Sequence, residues 1–119
     1  MANFGKRVDA NQKLIVRELE RLDISVEVLS NVGEGCPDLC IGILDKYNFF
    51  AEVKMPGKVL NERQQEWHSE WRGQKMVVTY IIDVLTELSN YALSFNDLDF
   101  QHQVAIWLTQ FREIDIKDL

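Results

Sequence analysis

Three charged residues in the middle of the chain have the types and the spacing of a metal-assisted hydrolytic site. Asp38 follows Pro37 at the start of one apolar run, and Glu52 and Lys54 lie two residues apart in the next. Because side chains alternate along a β-strand, Glu52 and Lys54 point to one face, and pairing of the two runs brings Asp38 close to it. Hard divalent cations prefer oxygen ligands such as these carboxylates. The arrangement therefore predicts hydrolysis of a phosphodiester bond at a metal ion.

The hydrophobic pattern supplies elements that would hold such a site. It predicts helices over residues 9–22, 61–73, 83–91 and 103–111, and strands over 24–28, 39–44, 49–55 and 76–82. Asp9 and Asn61 are the predicted N-caps of the first two helices, and residues 45–48 are the predicted hairpin turn. This order indicates an α/β domain around a mixed sheet with extra C-terminal helices.

The composition limits the other classes of function. A length of 119 residues predicts one domain with a single core. The chain has no stretch of eighteen apolar residues and no signal-peptide run at its start, so we expect a cytoplasmic protein with no membrane partner. Cys36 and Cys40, with two distant histidines, lack the spacing of a zinc site and are expected to be small buried hydrophobes. No organic cofactor is expected.

The net charge of −6 argues against a generic nucleic-acid binder, but the charge is unevenly distributed. Residues 1–85 hold 11 Lys and Arg against 13 Asp and Glu, whereas residues 86–119 hold 2 against 6. The N-terminal arm and first helix carry a basic stripe that is either a solvated face or a set of phosphate contacts. Its members are Lys6, Arg7, Lys13, Arg17 and Arg21. The candidate DNA-binding residues are Lys6, Arg7, Lys13, Ser30 and Lys58.

Three segments together resemble the VRR-NUC branch of the PD-(D/E)XK nucleases. They are GCPDL at residues 35–39, FAEVKMPG at 50–57 and LNERQQEW at 60–67, in the order and spacing of that family. The resemblance covers roughly residues 9–85. It implies a restriction-endonuclease-like αβββαβ core over residues 1–85, with residues 86–119 as an acidic helical extension of the same domain.

The resemblance also implies the roles of individual residues. Asp38 and Glu52 would bind Mg²⁺ or Mn²⁺, with the Val53 backbone carbonyl as a further ligand. Lys54 would orient or help deprotonate the attacking water and stabilise charge on the phosphate. Gln64, on the second helix, matches a glutamine that the family places near its catalytic site.

The resemblance also implies a substrate and an oligomeric state. Stand-alone members of this branch are similar to Holliday-junction resolvases, occur in phages and act on branched DNA, often as homodimers. The resemblance therefore implies a DNA endonuclease selective for junctions or flaps.

One position departs from the family pattern. The family usually places a metal-binding glutamate on the first helix, and the equivalent position here is Gln12, with Asp9 as the nearest upstream acid. Either Gln12 holds the metal through water or Asp9 substitutes for the missing glutamate. The alternative prediction is a weak or inactive nuclease-fold protein that acts as a DNA-binding or protein-interaction module.

Overall fold

A computed structural model describes residues 10–117, with side chains described for residues 10–113. Its elements are α1 (Ala10–Arg21), β1 (Ser25–Val28), β2 (Leu39–Ile43), β3 (Tyr47–Val53), α2 (Glu62–Glu70), β4 (Lys75–Val78), α3 (Ile81–Ser94) and α4 (Leu98–Lys117). This order confirms the predicted α/β class, with an αβββαβ core followed by helices. The predicted cap Asp9 and the predicted DNA contacts Lys6 and Arg7 lie outside the described residues.

The four strands form one mixed sheet in the order β1-β2-β3-β4. Strands β1, β2 and β3 pair antiparallel, whereas β4 pairs parallel to β3 after the crossover through α2. The turn between β2 and β3 covers residues 44–46 and not the predicted 45–48, because Leu44 and Asp45 adopt φ angles of 59° and 54° and Tyr47 already pairs with Ile43.

The two faces of the sheet have different partners. Alternate residues of β2 and β3 (Leu39, Ile41, Phe49, Ala51 and Val53) are buried in one cluster with apolar residues of α1, α3 and α4. The opposite face packs against α2, where the Phe50 ring lies 5.2 Å from Trp67 and 4.9 Å from Trp71 between ring centroids. Glu52 follows Phe50 by two residues, so Glu52 lies on the α2 face.

The last strand and the second helix both end earlier than predicted, because side chains bond to the backbone at their ends. The predicted strand over residues 76–82 ends at Val78, since the Asp83 carboxylate accepts hydrogen bonds from the Thr79 and Tyr80 amides and α3 begins at Ile81. Helix α2 ends at Glu70 rather than at Gly73. There the Lys75 ammonium donates to the carbonyls of His68 and Trp71, which satisfies acceptors at the helix end.

The C-terminal helices are packed into the same core as the sheet. Residue 85, the predicted end of the nuclease core, is a fully buried leucine within α3. Phe100 and Trp107 of α4 are also buried in the common cluster. The division at residue 85 stays a prediction.

Within residues 10–117, no helix is both long and apolar enough to cross a membrane.

Asp97 joins the β2–β3 hairpin to the turn between α3 and α4. Its Oδ2 accepts hydrogen bonds from the Tyr47 hydroxyl at 2.6 Å and the Lys46 ammonium at 2.9 Å. Its Oδ1 accepts from the Phe100 amide at 3.1 Å. The Tyr47 hydroxyl, followed by Lys46 and the Phe100 amide, holds the pKa of the Asp97 carboxyl well below its usual range.

We expect Asp97→Asn to flatten the acid limb of the stability profile. A carboxyl whose pKa is lowered by folding stabilises the protein above its unfolded pKa of about 3.9, and that contribution is lost as the pH falls toward the folded value. The wild type should therefore lose unfolding free energy more steeply than Asp97→Asn below about pH 4. Urea unfolding at neutral and acidic pH measures this, with Asp99→Asn on the exposed start of α4 as control. Parallel profiles for wild type and Asp97→Asn would contradict the assignment.

Candidate functional site

Asp38, the residue just before β2, lies beside Glu52 of β3. The register that pairs Leu39 with Ala51, continued by one residue, sets Asp38 opposite Glu52. The Val53 amide donates to Asp38 Oδ2 at 2.9 Å, so this carboxylate is bonded to the peptide that links Glu52 to Val53. Both side chains are buried, with exposed fractions of 3% and 1%. The structure thus brings the two predicted metal ligands together.

Every buried polar or charged side chain in the described part of the chain is a residue that the sequence singled out. These residues are Gln12, Ser30, Asp38, Glu52 and Gln64. Burying a carboxylate or an amide costs free energy, so such groups concentrate where they form hydrogen bonds or carry out chemistry. Their distribution over α1, the loop after β1, the start of β2, β3 and α2 defines the candidate site.

Gln12 is held by Ser30. Its Nε2 donates to the Ser30 hydroxyl at 2.8 Å, and both residues are buried. The residue before Ser30, Leu29, donates its amide to the Asp38 carbonyl at 2.7 Å, which extends the β1–β2 pairing to the site. On the same helix, Asn11 Nδ2 donates to the Thr79 carbonyl at 3.0 Å. The start of α1 is therefore anchored beside Asp38, and Ser30 contacts Gln12 rather than lying on the exposed surface.

Lys54 directly follows β3 and is half-buried. Its amide donates to the Val78 carbonyl at 2.9 Å, which continues the β3–β4 ladder by one residue. Since Glu52 and Lys54 are two residues apart in extended backbone, their side chains share the α2 face. Lys13 on α1 and Lys58 in the turn after β3 are both exposed.

Gln64 has a structural task as well as its predicted catalytic one. Asn61 caps α2 as predicted: its side chain accepts from the Gln64 amide at 2.9 Å, and Gln64 Oε1 accepts from the Asn61 amide at 3.0 Å. This reciprocal capping box orients the buried Gln64 side chain at the start of α2. A catalytic role for Gln64 stays a prediction.

The glycine-rich loop before Asp38 is fixed against α2. Gly33, Glu34 and Gly35 all adopt positive φ angles, of 78°, 57° and 80°. A Cβ on Gly35 would lie 2.3 Å from the Arg63 carbonyl oxygen, so the loop and the helix are in direct backbone contact. Arg63 also pairs with Glu34 at 2.9 Å. Sequence reasoning missed Arg63, although it is the only cation in the LNERQQEW segment.

Gly35→Ala is expected to destabilise the protein far more than Gly33→Ala. Both glycines have left-handed backbone, which costs an L-residue about 1–2 kcal/mol, but only Gly35 is in contact with α2, whereas Gly33 has no atom within 4 Å of an added Cβ. We expect the unfolding free energy to fall by about 1 kcal/mol for Gly33→Ala and by about 3 kcal/mol or more for Gly35→Ala. Chemical denaturation of the two variants tests this, and equal losses would argue against the close loop–helix contact.

The donor set fits a hard divalent cation. Asp38 and Glu52 supply carboxylate oxygens, and backbone carbonyl and amide oxygens lie on the same segments, which is the ligand chemistry of Mg²⁺ and Mn²⁺. Over the described residues, no cluster of three His, Cys, Asp or Glu side chains could hold a metal ion. Gln12, the residue of α1 at which the family resemblance expects a glutamate, is an amide and adds no carboxylate to Asp38 and Glu52.

A cavity elsewhere in the molecule is lined by none of the five buried polar residues of the candidate site. Its volume is about 850 Å³, and it is lined by the β2–β3 turn, the segment between α1 and β1, and polar residues of α4. The candidate site is therefore identified by buried charge and bonding and not by cavity size.

Comparison with known proteins gives one match of fold and sequence. A solved structure described as a "VRR_NUC domain" superposes on this protein with a TM-score of 0.56 and 27% sequence identity, covering 67% of this chain and 91% of that chain. Neither the protein-family models nor the curated proteins include a match to this sequence. The structural match confirms the resemblance that the three sequence segments indicated, and with it a nuclease fold.

Proposed function

We propose that this chain, which the structural match identifies as a VRR-NUC family member, is an Mg²⁺- or Mn²⁺-dependent DNA endonuclease. The observation that carries the proposal is the pair of buried carboxylates, Asp38 at the entry to β2 and Glu52 on β3, with Lys54 on the same face as Glu52. A nuclease fold alone does not imply cleavage, because activity depends on the residues of the site. Here two carboxylates and a lysine are residue types that metal-assisted hydrolysis uses, and this supports the proposal.

Each residue has a distinct task in the proposed reaction. Asp38 and Glu52 would hold the cation, with the Val53 carbonyl as a further oxygen ligand. The cation, when bound, would lower the pKa of a water and polarise the scissile phosphate. Lys54 would orient the attacking water and stabilise the negative charge that develops on the phosphate, because a charge fixed in direction needs no reorganisation during the reaction. Gln12 and Gln64 would position water at the edges of the site.

The proposed substrate is branched or double-stranded DNA. Lys13 and Lys58 are exposed cations on α1 and after β3, on segments adjacent to the site residues, where they would contact phosphates. Lys6 and Arg7 would add to this basic surface, and Ser30 would act through Gln12. A homodimer that cuts junctions or flaps in pairs is the proposed assembly.

A cleavage assay with several DNA structures tests the proposal. Purified protein is incubated with four-way junction, flap and linear duplex DNA in the presence of Mg²⁺, Mn²⁺ or EDTA. We expect cuts in the branched substrates with either metal and none with EDTA. Size-exclusion chromatography with light scattering measures the oligomeric state. The absence of cutting on every substrate with either metal would contradict the endonuclease assignment.

A second function is favoured by one observation. The amide of Gln12 stands where a third acid is expected, so the site offers two negative charges to a cation instead of three. The chain would then act as a module that binds DNA without cleaving it. Junction binding with EDTA or metal present, together with no cutting, would support this second function.

A further inference from the structure

A groove between α1 and β1 leads away from the candidate site. Its volume is about 500 Å³, and Gln12 lies among its lining residues. The floor includes Val16 of α1 and Val28 of β1, and Val28 is 49% exposed. Strand β1 is at the edge of the sheet, and no further strand within residues 10–117 covers this side.

Cations line one wall of this groove at a regular interval. Lys13, Arg17 and Arg21 are four residues apart on α1 and all line the groove. Residues at that spacing share one side of a helix, and each step advances about 6 Å along its axis. Glu20 also lines the groove, and Glu18 pairs with Arg21 at 3.1 Å. Positive charge is therefore greatest at the end near Gln12, where Lys13 and Arg17 lie.

The positively charged end of the groove is linked to the candidate site through Gln12 and Ser30. Gln12 lines the groove and donates to Ser30, and the amide before Ser30 bonds the Asp38 carbonyl. The protein as a whole carries a net charge of −6, so a groove with three cations and one acid on its lining is a local exception. A polyanion is the ligand that this charge pattern favours.

We infer that the α1–β1 groove binds the sugar–phosphate backbone of the DNA arm that extends from the scissile phosphate. Lys13 and Arg17 contact successive phosphates, and the apolar floor at Val16 and Val28 packs against the sugars. This inference rests on the proposed function for the identity of the ligand. It adds Arg17, which the sequence assigned only to a general basic stripe, as a DNA-contacting residue, and it fixes the direction in which the DNA leaves the site.

The test measures DNA binding without cleavage. Fluorescence anisotropy with a labelled duplex and a labelled four-way junction, in EDTA and over a range of salt concentrations, gives the Kd and its salt dependence. We expect Lys13→Gln and Arg17→Gln each to weaken binding about fivefold or more and to reduce the slope of log K against log salt by about 1. Arg112→Gln, which removes the same charge from an exposed position on α4, should leave both quantities unchanged.

A variant of the groove floor provides a second measurement that removes no cation. Val28→Glu introduces a negative charge at a half-exposed position and should weaken binding, whereas Val28→Gln should have a smaller effect.

Unchanged affinity and slope in Lys13→Gln and Arg17→Gln would overturn the inference, as would a wild type that does not bind DNA at low salt. Equal, Arg17-dependent binding of poly-glutamate would overturn the assignment to DNA. A wild type that binds through Arg17 but never cuts would refute the endonuclease and leave the groove assignment standing.

Discussion

Asp38→Asn is expected to abolish metal-dependent DNA cleavage while the protein remains folded. The substitution removes one of the two negative charges available to the cation, but the amide oxygen of asparagine can still accept the hydrogen bond that the Val53 amide donates at 2.9 Å. Because a catalytic metal supplies several kcal/mol of transition-state stabilisation, we expect the cleavage rate to fall by about 10³-fold or more. Single-turnover cleavage of junction DNA in Mn²⁺ measures the rate, and thermal unfolding verifies the fold.

Two further variants separate the charge of the site from its architecture. Asp38→Ala also removes the hydrogen-bond acceptor, so we expect it to lose cleavage and, in addition, about 1–3 kcal/mol of unfolding free energy. Lys54→Ala leaves both carboxylates in place and should reduce the rate by about 10²- to 10³-fold with little change in metal binding. Metal-dependent cleavage that persists in Asp38→Asn and Lys54→Ala would mean a contaminating nuclease or a different site.

Gln12→Glu is expected to strengthen metal binding and raise cleavage at low metal concentration. The Gln12 amide now donates to the Ser30 hydroxyl at 2.8 Å. A glutamate there could accept a hydrogen bond from the same hydroxyl, because serine can act as donor or acceptor, so the variant needs no repacking. A third carboxylate should improve the apparent affinity for Mn²⁺ about tenfold, which adds about 1.4 kcal/mol of metal-dependent stabilisation.

The same variant should be less stable than the wild type when no metal is present. A third buried carboxylate near Asp38 and Glu52 adds repulsion, and we expect a loss of about 1–3 kcal/mol in EDTA. Thermal unfolding with and without Mn²⁺ measures both effects, and Gln110→Glu, the same change at an exposed position of α4, serves as control. If Mn²⁺ shifts the melting temperature of Gln12→Glu no more than that of wild type, Gln12 does not occupy the third ligand position, and Asp9 becomes the candidate.

Much of the fold follows from local patterns in the sequence. The apolar runs over residues 39–44 and 49–55, with turn residues between them, predict two paired strands that bring Asp38 close to Glu52, and the structure has this pairing. Asn61 predicts the N-cap that begins α2, and the structure adds the reciprocal bond from Gln64. These features depend on residues close in sequence, so one sequence contains the information. The predicted ends of α2 and β4 were wrong. Helix α2 ends at Glu70 and strand β4 at Val78, because the side chains of Lys75 and Asp83, which lie in the element that follows each of them, bond to the backbone there.

The amino-acid sequence by itself indicated the nuclease fold and named the candidate site residues, because a Pro-Asp step, a Glu-x-Lys strand and a capped helix combine specific residue types at specific spacings. Only the tertiary structure decided how α1 is positioned relative to the other candidate site residues. Gln12 meets Ser30 across 18 residues of sequence, Gly35 meets the Arg63 backbone, and α1 forms a cationic groove against the edge strand β1. These contacts join segments whose local patterns are independent of each other, so their proximity depends on how the whole core packs around the sheet.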